Sequence, residues 1–540
     1  MFPKSIDDEI SGRSLSSVVS TPLATSMSSS SNKMNERVTT PLDEALNMIP
    51  VGKFHYSLVL MTGLAFMADA MEVSLLSFIA MCAGAEWDLT NEEIATVTSS
   101  VFIGELFGGV LFGPLADNYG RRIAFLIACI LIATAGIASG ASPNFGTLIA
   151  LRTIVGIGVG GLTVPFDLLA EFSPTNMRGT FLMSIEYFWT FGSLFVAGMA
   201  WATLNSYGWR TLTYITAIPV VISSIISVLL LPESPLWLLE KGRVLEAEQV
   251  IIKAAEFNNT PLPANFKLQS LGHNNHNHNN DNNKQFHEIL QELISPKYRN
   301  ITIPLWITWF SFGLVYYGII LFVTRVYEET DNDNDDDGPV CDFAYQDIFI
   351  NASMEVIGII IATLTLDTYG RILTQFVGYF LAGIGIFFMG FGHIQAVILI
   401  FGMLARATIM WASCSTWVHT PELFATDIRA SAHSTSNVIA RIGALISPYI
   451  VASSLSIPVV GLILSIWSWI AAFSIAWLPE TMGKNLDSVE LYEHDTRISP
   501  FDRFIGIFRK LKNAMIEQSD STLIGGSHIG SSSNSSDSES

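Results

Sequence analysis

Charged side chains are scarce in this chain. Asp, Glu, Lys and Arg make up 14% of its 540 residues, whereas a soluble domain contains roughly 25%. Hydrophobic residues account for 50%, and they lie in runs long enough to cross roughly 30 Å of hydrocarbon as helices. The composition excludes an ordinary soluble domain and predicts an all-α membrane protein.

Basic residues and nucleotide-binding motifs are scarce as well. The chain has 28 basic residues against 48 acidic ones, a formal net charge of −20, and no basic stripe that would bind nucleic acid. It contains no Gly-x4-Gly-Lys-Ser/Thr loop for ATP phosphates, and no nucleophile–base arrangement stands out. We therefore expect neither an enzyme nor an ATP-driven pump, and no cofactor or nucleic acid partner.

Cysteine is also rare, with four residues and no metal-ligand spacing. Cys82 and Cys341 fall near the same predicted membrane face, and the sequence leaves open whether they pair. A His/Asn-rich tract from Gly272 onwards has the irregular spacing of a low-complexity linker, so no metal site is predicted.

One pattern at the ends of apolar runs occurs twice. Asp117-Asn-Tyr-Gly120-Arg121 returns as Asp367-Thr-Tyr-Gly370-Arg371, an offset of 367 − 117 = 250. Two further repeats have nearly the same offset: Glu171 and Arg178 with Glu422 and Arg429 (422 − 171 = 251), and Pro232-Glu233-Ser234 with Pro479-Glu480-Thr481 (479 − 232 = 247). Such offsets indicate an internal duplication, which in a membrane protein is typical of secondary transporters.

Twelve apolar runs are long enough to span a bilayer, six in each copy. They begin near His55, Ile94, Ile123, Phe145, Thr180, Thr211, Ile301, Phe343, Ile372, Gln395, Ser431 and Ile457. The predicted domains are a disordered tail (1–53), a first six-helix half (54–231), a partly helical linker (232–300), a second half (301–480) and a Ser- and acid-rich tail (481–540).

Basic residues give the orientation. Five of the 28 lie inside the spans or at one face, which leaves 28 − 5 = 23 on the side of the tails and the linker. Because basic residues mark the cytoplasmic side, we expect both termini and the linker to be cytoplasmic. Eight acids between 328 and 342 would then face outside or into a lumen.

These motifs resemble the major facilitator superfamily, over roughly residues 50 to 490. Gly113-Pro-Leu-Ala-Asp117 through Arg122 is similar to its loop between helices 2 and 3, and Arg152 through Gly161 to its helix 4 motif. Pro232-Glu233-Ser234 and Pro479-Glu480-Thr481 resemble the helix ends of sugar porters. The resemblance implies two six-helix halves, twelve transmembrane helices in all, that rock about a central site.

A narrower resemblance is to the synaptic-vesicle-protein-related and nicotinate-transporter-like branch. It rests on Thr62 through Glu72, Glu186-Tyr-Phe-Trp189 and Arg441 through Pro448. The segment Trp306–Tyr317 lacks the paired glutamines of sugar porters, so the resemblance to hexose carriers is limited to the loops. A sugar transporter remains an alternative.

The repeated loop motif predicts a gate. Gly113 would let two helices approach closely, and Gly120 suits a tight turn. Asp117 would bind a helix N-terminus or an arginine across the interface between the halves. The resemblance implies a latch on the cytoplasmic side, formed by Gly113, Asp117, Gly120, Arg121, Glu171 and Arg178 and, in the second copy, by Asp367, Gly370, Arg371, Glu422 and Arg429. The alternative is a basic topology signal.

Ionisable residues at membrane depth are functional candidates, because burying a charge there costs a few kcal/mol or more. Asp69 and Glu72 lie on one face of the first helix, and repulsion between them would favour proton binding. The alternative is a static pair with Arg152 or Arg406, and both arginines are also candidates for a charge relay.

Further candidates for the substrate site are both charged and aromatic. Glu186 and Trp189 share one helix face, and its alternative is a buried brace between helices. Glu355 would hold a cation or pair with Arg325. Arg441, one turn after Asn437, would hold a carboxylate by a two-pronged bond or pair with Glu355 or Asp69.

The aromatic residues Tyr316 and Tyr317 fall in mid-span and would line a cavity, which suits a flat aromatic ion. The sequence therefore predicts a proton-coupled secondary transporter that acts as a monomer and is embedded in a plasma, endomembrane or vesicle bilayer. Its expected substrates are nicotinate-like or aromatic acids first and organic cations second. The alternative is a non-transporting receptor or sensor on the same fold.

Overall fold

The computed structural model describes residues 40–174, 177–263, 265–270, 286–332, 343–424 and 426–482. Apart from one bridge between Thr40 and Leu268, the regular structure of these residues is helical. The sixteen helices are α1 (Leu42–Asn47), α2 (Lys53–Glu86), α3 (Asn91–Tyr119), α4 (Arg121–Gly140), α5 (Phe145–Gly160), α6 (Thr163–Phe172), α7 (Arg178–Leu230), α8 (Pro235–Glu240), α9 (Val244–Phe257), α10 (Phe286–Leu293), α11 (Arg299–Asn332), α12 (Tyr345–Tyr369), α13 (Arg371–Phe391), α14 (Gln395–Glu422), α15 (Thr426–Val451) and α16 (Ile457–Ile475).

Ten segments of the described chain are long and apolar enough to cross a membrane. One of them, Thr180–Leu230, has 51 residues, or roughly 76 Å of helix at 1.5 Å per residue, which is enough for two crossings. Its helix α7 is kinked at Gly208, where φ is 75°. The polar helix α15 is not among the ten, so the number twelve stays a prediction.

The helices pack as two halves, α2–α7 and α11–α16, joined through α8–α10. Within the first half the closest packing is between α2 and α7 and between α3 and α5, and within the second between α13 and α14 and between α11 and α15. The halves meet where α3 packs on α15 and α7 on α12. These two contacts are equivalent under the duplication, because α3 corresponds to α12 and the first part of α7 to α15.

The predicted N-terminal tail is ordered from Thr40 onwards. Asn258, at the end of α9, accepts a hydrogen bond from Phe54 N and donates one to Pro50 O, each 2.8 Å long. A linker side chain thus caps the start of α2, where a free backbone N–H needs a partner. We call the side of the molecule that carries α8 and α9 the linker face, and the other side the opposite face. The tails at 1–39 and 483–540 lie outside the described residues.

Candidate functional site

Each half buries one ion pair at mid-span. In the first half Arg152 Nη1 lies 2.6 Å from Glu72 Oε1, and the arginine side chain has no exposure. In the second half Arg406 Nη2 lies 2.9 Å from Glu355 Oε1. Buried charges are tolerated when they are paired, so these four residues form internal ties within α2–α5 and within α12–α14.

A third ion pair crosses between the halves. Arg441 on α15 places Nη2 3.0 Å from Asp69 Oδ2 on α2 and Nη1 2.6 Å from Glu105 Oε2 on α3. The same Nη1 donates to the hydroxyl of Tyr317 at 2.6 Å. One guanidinium therefore joins two carboxylates of the first half to the second half.

These contacts decide between some of the pairings that the sequence left open. Asp69 and Glu72 bind different arginines, and the pairing of Glu355 with Arg325 was wrong. Arg325 instead donates to the carbonyls of Val451 and Leu455 at the end of α15, because it lies at the opposite face rather than at mid-span.

Glu105 is the residue of this network that the sequence-based site omitted, although its position carries a signal. It precedes Glu355 by 355 − 105 = 250 residues, the offset of the repeated gate motif. A search for charged residues at the repeat offset would have identified it.

An aromatic wall adjoins the crossing ion pair. The ring centroid of Trp189 lies 5.9 Å from Tyr316 and 6.5 Å from Tyr317, and Phe66 lies 5.6 Å from Trp189 on its other side. Tyr316 donates to Glu355 Oε1 at 2.9 Å. The two tyrosines thus link the aromatic wall to both the crossing pair and the ion pair of the second half.

Glu186 differs from the other mid-span acids. It is 6% exposed, and within the described part of the chain it makes no hydrogen bond and no ion pair. It lies one helical turn from Trp189 on α7 and close enough to Glu355 for electrostatic repulsion. The brace between helices is therefore not observed, and no cationic side chain of the described ranges pairs with this buried carboxylate. Asn437, one turn before Arg441, is half-buried.

The gate residues form one Asp–Arg–Glu cluster in each half. Arg121 Nη1 lies 2.5 Å from Asp117 Oδ1, and its Nε lies 3.5 Å from Glu171 Oε1. Both pairs stay inside the first half, so the contact across the interface that was predicted for Asp117 is not formed in this conformation.

The second copy repeats this arrangement with a shorter contact between the arginine and the glutamate. Arg371 binds Asp367 at 2.9 Å and holds Glu422 with two bonds of 3.0 and 3.1 Å. Arg429 donates from Nε to Phe424 O at 3.3 Å. The side chain of its counterpart Arg178 lies outside the described residues.

Two acids that the sequence-based gate omitted complete these clusters. Glu233 accepts a hydrogen bond from Arg122 N at 3.1 Å, and Glu480 accepts one from Arg371 N at 2.9 Å. Each carboxylate therefore caps the start of the helix that follows the repeated loop, where the helix dipole favours negative charge.

Glycine is required beside both capping carboxylates. Gly120 has a φ of 105° and Gly370 of 91°, and a Cβ there would lie 2.2 Å and 2.6 Å from Oε2 of Glu233 and Glu480. The sequence already indicated that these two acids belong with the gate, because the Pro-Glu-Ser/Thr motif repeats at nearly the same offset as the loop motif.

The prediction for Gly113 was wrong: a Cβ at this position would meet nothing within 4 Å. Close helix approach occurs instead between α3 and α5, where a Cβ on Gly104 would lie 2.1 Å from Thr153 O and one on Gly156 2.1 Å from Val101 O. Gly113 lies farther along α3, beyond this contact.

Cys82 is disulfide-bonded, whereas Cys129 and Cys414 are free and buried. Cys341, the partner considered from the sequence, lies outside the described residues.

The halves are joined at the opposite face by polar contacts. Ser99 Oγ donates to Leu445 O at 3.0 Å, and the hydroxyls of Thr96 and Tyr449 lie 3.2 Å apart. Tyr345 donates to Asn205 at 2.6 Å on the second interface, between α12 and α7. These contacts hold α3 against α15 and α12 against α7 on the side of the opposite face.

Two helical halves around buried charges define a membrane transporter, and comparison with known proteins identifies its family. Residues 23–491 match the family described as Sugar (and other) transporter, and the chain belongs to this family of the major facilitator superfamily. It is thus a multi-pass membrane transporter, which lies in a lipid bilayer and acts on a small-molecule substrate.

Three relatives are similar over most of their length. The chain is 31% identical to Synaptic vesicle 2-related protein of Xenopus laevis (82% of each chain) and 30% identical to Organic cation/carnitine transporter 7 of Arabidopsis thaliana (76% of this chain, 87% of the relative). It is 27% identical to Niacin transporter NiaP of Acinetobacter baylyi (82% and 98%).

The fold is also that of a solved structure. A partially occluded inward-open conformation of the xylose transporter XylE from E. coli superposes with a TM-score of 0.64, covering 80% of this chain and 99% of that one at 20% identity. At this identity the likeness concerns the fold alone.

Proposed function

We propose that the protein is a proton-coupled secondary transporter, acting as a monomer, whose preferred substrate is a small organic cation. The observation that carries this proposal is the buried carboxylate of Glu186, which has no counter-ion within the described chain. An ionised group at this depth needs a partner, and a cationic substrate supplies one.

The pairing of the three buried arginines also favours a cationic substrate over an anionic one. Arg152, Arg406 and Arg441 are each engaged by a carboxylate within 3.0 Å, so their positive charges are already balanced and an anionic substrate would add an unbalanced negative charge. The sequence ranked aromatic acids first. The pairing of all three arginines is the reason for placing organic cations ahead of them.

The aromatic wall supports a cation as well. Trp189, Tyr316 and Tyr317 surround the position next to Glu186, and aromatic faces attract cations by about 2 kcal/mol or more when both are desolvated. A related protein named for organic cations and carnitine covers most of the chain.

Proton coupling is proposed for the crossing network. Rocking of the halves separates Arg441 from Asp69 and Glu105, and removing one partner of a buried ion pair costs about 3–5 kcal/mol. Protonation of a carboxylate removes one of the charges that would be left unpaired. Opening is therefore easier in the protonated state, which couples proton binding to the conformational change.

A second candidate, a nicotinate-like acid, rests on the same arginine. If Asp69 and Glu105 bind protons, the guanidinium of Arg441 is released and can hold a substrate carboxylate with two bonds. The relative named as a niacin transporter is consistent with this candidate.

The test is uptake into proteoliposomes that contain the full chain. Labelled tetraethylammonium and labelled nicotinate are compared under an inward proton gradient, an outward one and none, for wild type, Glu186→Gln and the exposed control Glu92→Gln. We expect gradient-dependent tetraethylammonium uptake that falls roughly tenfold to a hundredfold in Glu186→Gln, because the cation loses the carboxylate that balances its charge in a desolvated site, and is unchanged in Glu92→Gln.

Uptake of nicotinate alone would replace the first candidate by the second. Binding of either compound without uptake would favour a receptor on this fold.

A further inference from the structure

The two arginines that form ion pairs within single halves have guanidinium N–H groups without a partner. Arg152 is fully buried and bonds Glu72 through Nη1, and within the described chain its Nε and Nη2 have no hydrogen-bond partner. Arg406 is buried too and bonds Glu355 through Nη2, while its Nη1 has no partner in the same ranges. A buried N–H without an acceptor loses its hydration and gains nothing in return, above all on a charged group. Each arginine therefore needs a further acceptor.

Arg152 lines a small cavity within the first half, which we call the inner cavity. Its volume is about 20 Å³, and Thr213 and Thr216 of α7 also line it. Both threonines are buried, and their hydroxyls donate to Trp209 O and Thr213 O, which leaves lone pairs on their oxygens as acceptors. A water molecule needs roughly 10–15 Å³ and two to four polar partners. The inner cavity has the room and the partners for one.

Arg406 lines a second cavity, which lies between the halves and which we call the interface cavity. Its volume is about 30 Å³; Phe78 of α2 and Ser193 of α7 line it from the first half, and Asn351 of α12 lines it from the second. In the part of the chain that the structure describes, Ser193 Oγ and Asn351 Oδ1 are buried without a partner. The lining thus offers an unpaired donor on Arg406, an unpaired acceptor on Asn351 and a hydroxyl that can serve as either.

The charges at both cavities disfavour an ion as the occupant. A guanidinium keeps its positive charge in proteins, so each cavity repels a cation. Each guanidinium also faces a carboxylate already, at 2.6 Å for Glu72 and 2.9 Å for Glu355, so an anion would add an unbalanced negative charge. The occupant has to be small and neutral, and it has to accept a hydrogen bond from the arginine and donate one to an oxygen. Water meets all of these requirements.

We propose that each cavity binds an internal water molecule that hydrates the arginine beside it. In the inner cavity the water accepts a hydrogen bond from Arg152 and donates to a threonine oxygen. In the interface cavity it accepts from Arg406 and donates to Asn351 Oδ1, and Ser193 of the first half completes its contacts.

The interface water gives Arg406 a different relation to the first half from that of Arg441. Arg441 contacts Asp69 and Glu105 directly, so these bonds break when the halves part. Arg406 bonds Ser193 through water, and a water-mediated bond is nearly as favourable as a direct one. When the halves part, solvent replaces the bound water and Arg406 keeps its hydrogen bonds. The cost of opening therefore falls on Arg441. This consequence rests on the rocking motion of the proposed function, whereas the two water sites do not.

The test is hydroxyl-radical labelling of the full chain in lipid nanodiscs, in which a short X-ray pulse splits water and the side chains beside that water are oxidised. Phe78 lines the interface cavity and Met71 the inner cavity, and both are 2% exposed. Their controls are Phe125, which is 0% exposed, and Met61, which is 2% exposed, and neither lines one of the two cavities. We expect mass spectrometry to show oxidation of Phe78 and Met71 well above that of the controls.

Two variants that fill the cavities separate the sites. Ser193→Val replaces a lining hydroxyl by a larger apolar group, and we expect it to remove the oxidation of Phe78 and leave that of Met71. Gly136→Val extends a side chain into the inner cavity, where a Cβ at Gly136 meets nothing within 4 Å. It is expected to remove the oxidation of Met71 and leave that of Phe78. Each cavity therefore reports on the folding of the variant that fills the other.

The proposal is overturned for a cavity whose lining side chain is oxidised no more than its control. It is also overturned for a cavity whose filling variant leaves that oxidation unchanged. Neither result bears on the substrate, because the labelling requires no transport, and the uptake experiment with Glu186→Gln decides that question separately.

Discussion

Glu105 and Glu355 occupy equivalent positions of the two repeats, and they have different partners. Glu355 binds Arg406 of its own half at 2.9 Å, whereas Glu105 binds Arg441 of the other half at 2.6 Å. Glu355 therefore connects helices within the second half, whereas its counterpart Glu105 connects the two halves to each other. The interface between the halves must open during transport. A carboxylate at this interface is therefore better placed to couple proton binding to the motion than one buried within a half.

We predict that Glu105→Gln uncouples transport from the proton gradient. Glutamine keeps the shape of the side chain but cannot bind or release a proton. Gradient-driven accumulation is therefore lost, while exchange of substrate at equal concentrations continues. Both are measured in proteoliposomes, with Glu92→Gln as the control. Accumulation at the wild-type level in Glu105→Gln would contradict the role given to this residue.

At the scale of single elements, α3 and α5 pack through their glycines. Positions Gly104 and Gly156 leave no space for a Cβ, because each faces a backbone carbonyl of the other helix. The four-residue spacing of Gly156 and Gly160 on α5 is typical of a close helix contact. Its partner surface on α3 lies around Gly104, and the sequence did not identify it, since spacing within one helix does not identify the neighbouring one.

Gly104→Ala is predicted to destabilise the protein, whereas Gly109→Ala on the same helix is not. The first methyl group would lie 2.1 Å from Thr153 O, and the second would meet nothing within 4 Å. Overpacking costs about 1–3 kcal/mol, while alanine is about 1 kcal/mol better than glycine in a helix. Thermal unfolding in detergent should show a lower Tm for Gly104→Ala only; equal Tm values would refute the close contact.

At the scale of the whole molecule, polar contacts join the two halves at the opposite face. Ser99 with Leu445 and Thr96 with Tyr449 connect α3 to α15. Toward the linker face, Phe166 and Trp417 touch across the halves with centroids 6.1 Å apart. Rocking has to break the polar contacts of α3 and α15 before the central site opens to the opposite face.

A covalent link across this interface is therefore predicted to stop transport. Thr96→Cys and Tyr449→Cys are combined and cross-linked, and uptake is compared with that of Thr365→Cys combined with Trp411→Cys, a hydrogen-bonded pair within one half. We expect uptake to fall to background in the first protein and to continue in the second. Full uptake by protein that is completely cross-linked at positions 96 and 449 would exclude this rocking motion.

Local features were predictable from the sequence. The turn at Gly120, the Asp–Arg spacing of Asp117 with Arg121, and the shared helix face of Glu186 and Trp189 each involve residues within five positions of one another. Local backbone geometry determines such relations, and the duplication doubled the signal for the gate motif.

The sequence by itself determined the membrane class, the two repeats and the identity of the buried charges, because long apolar runs and costly intramembrane charges constrain any fold that contains them. Only the tertiary structure decided which charges pair. Arg441 selects Asp69 and Glu105 over Glu355 because α15 packs on α3, a contact between segments more than 300 residues apart. Within the described residues Glu186 makes no hydrogen bond and no ion pair, which no pattern along the chain records.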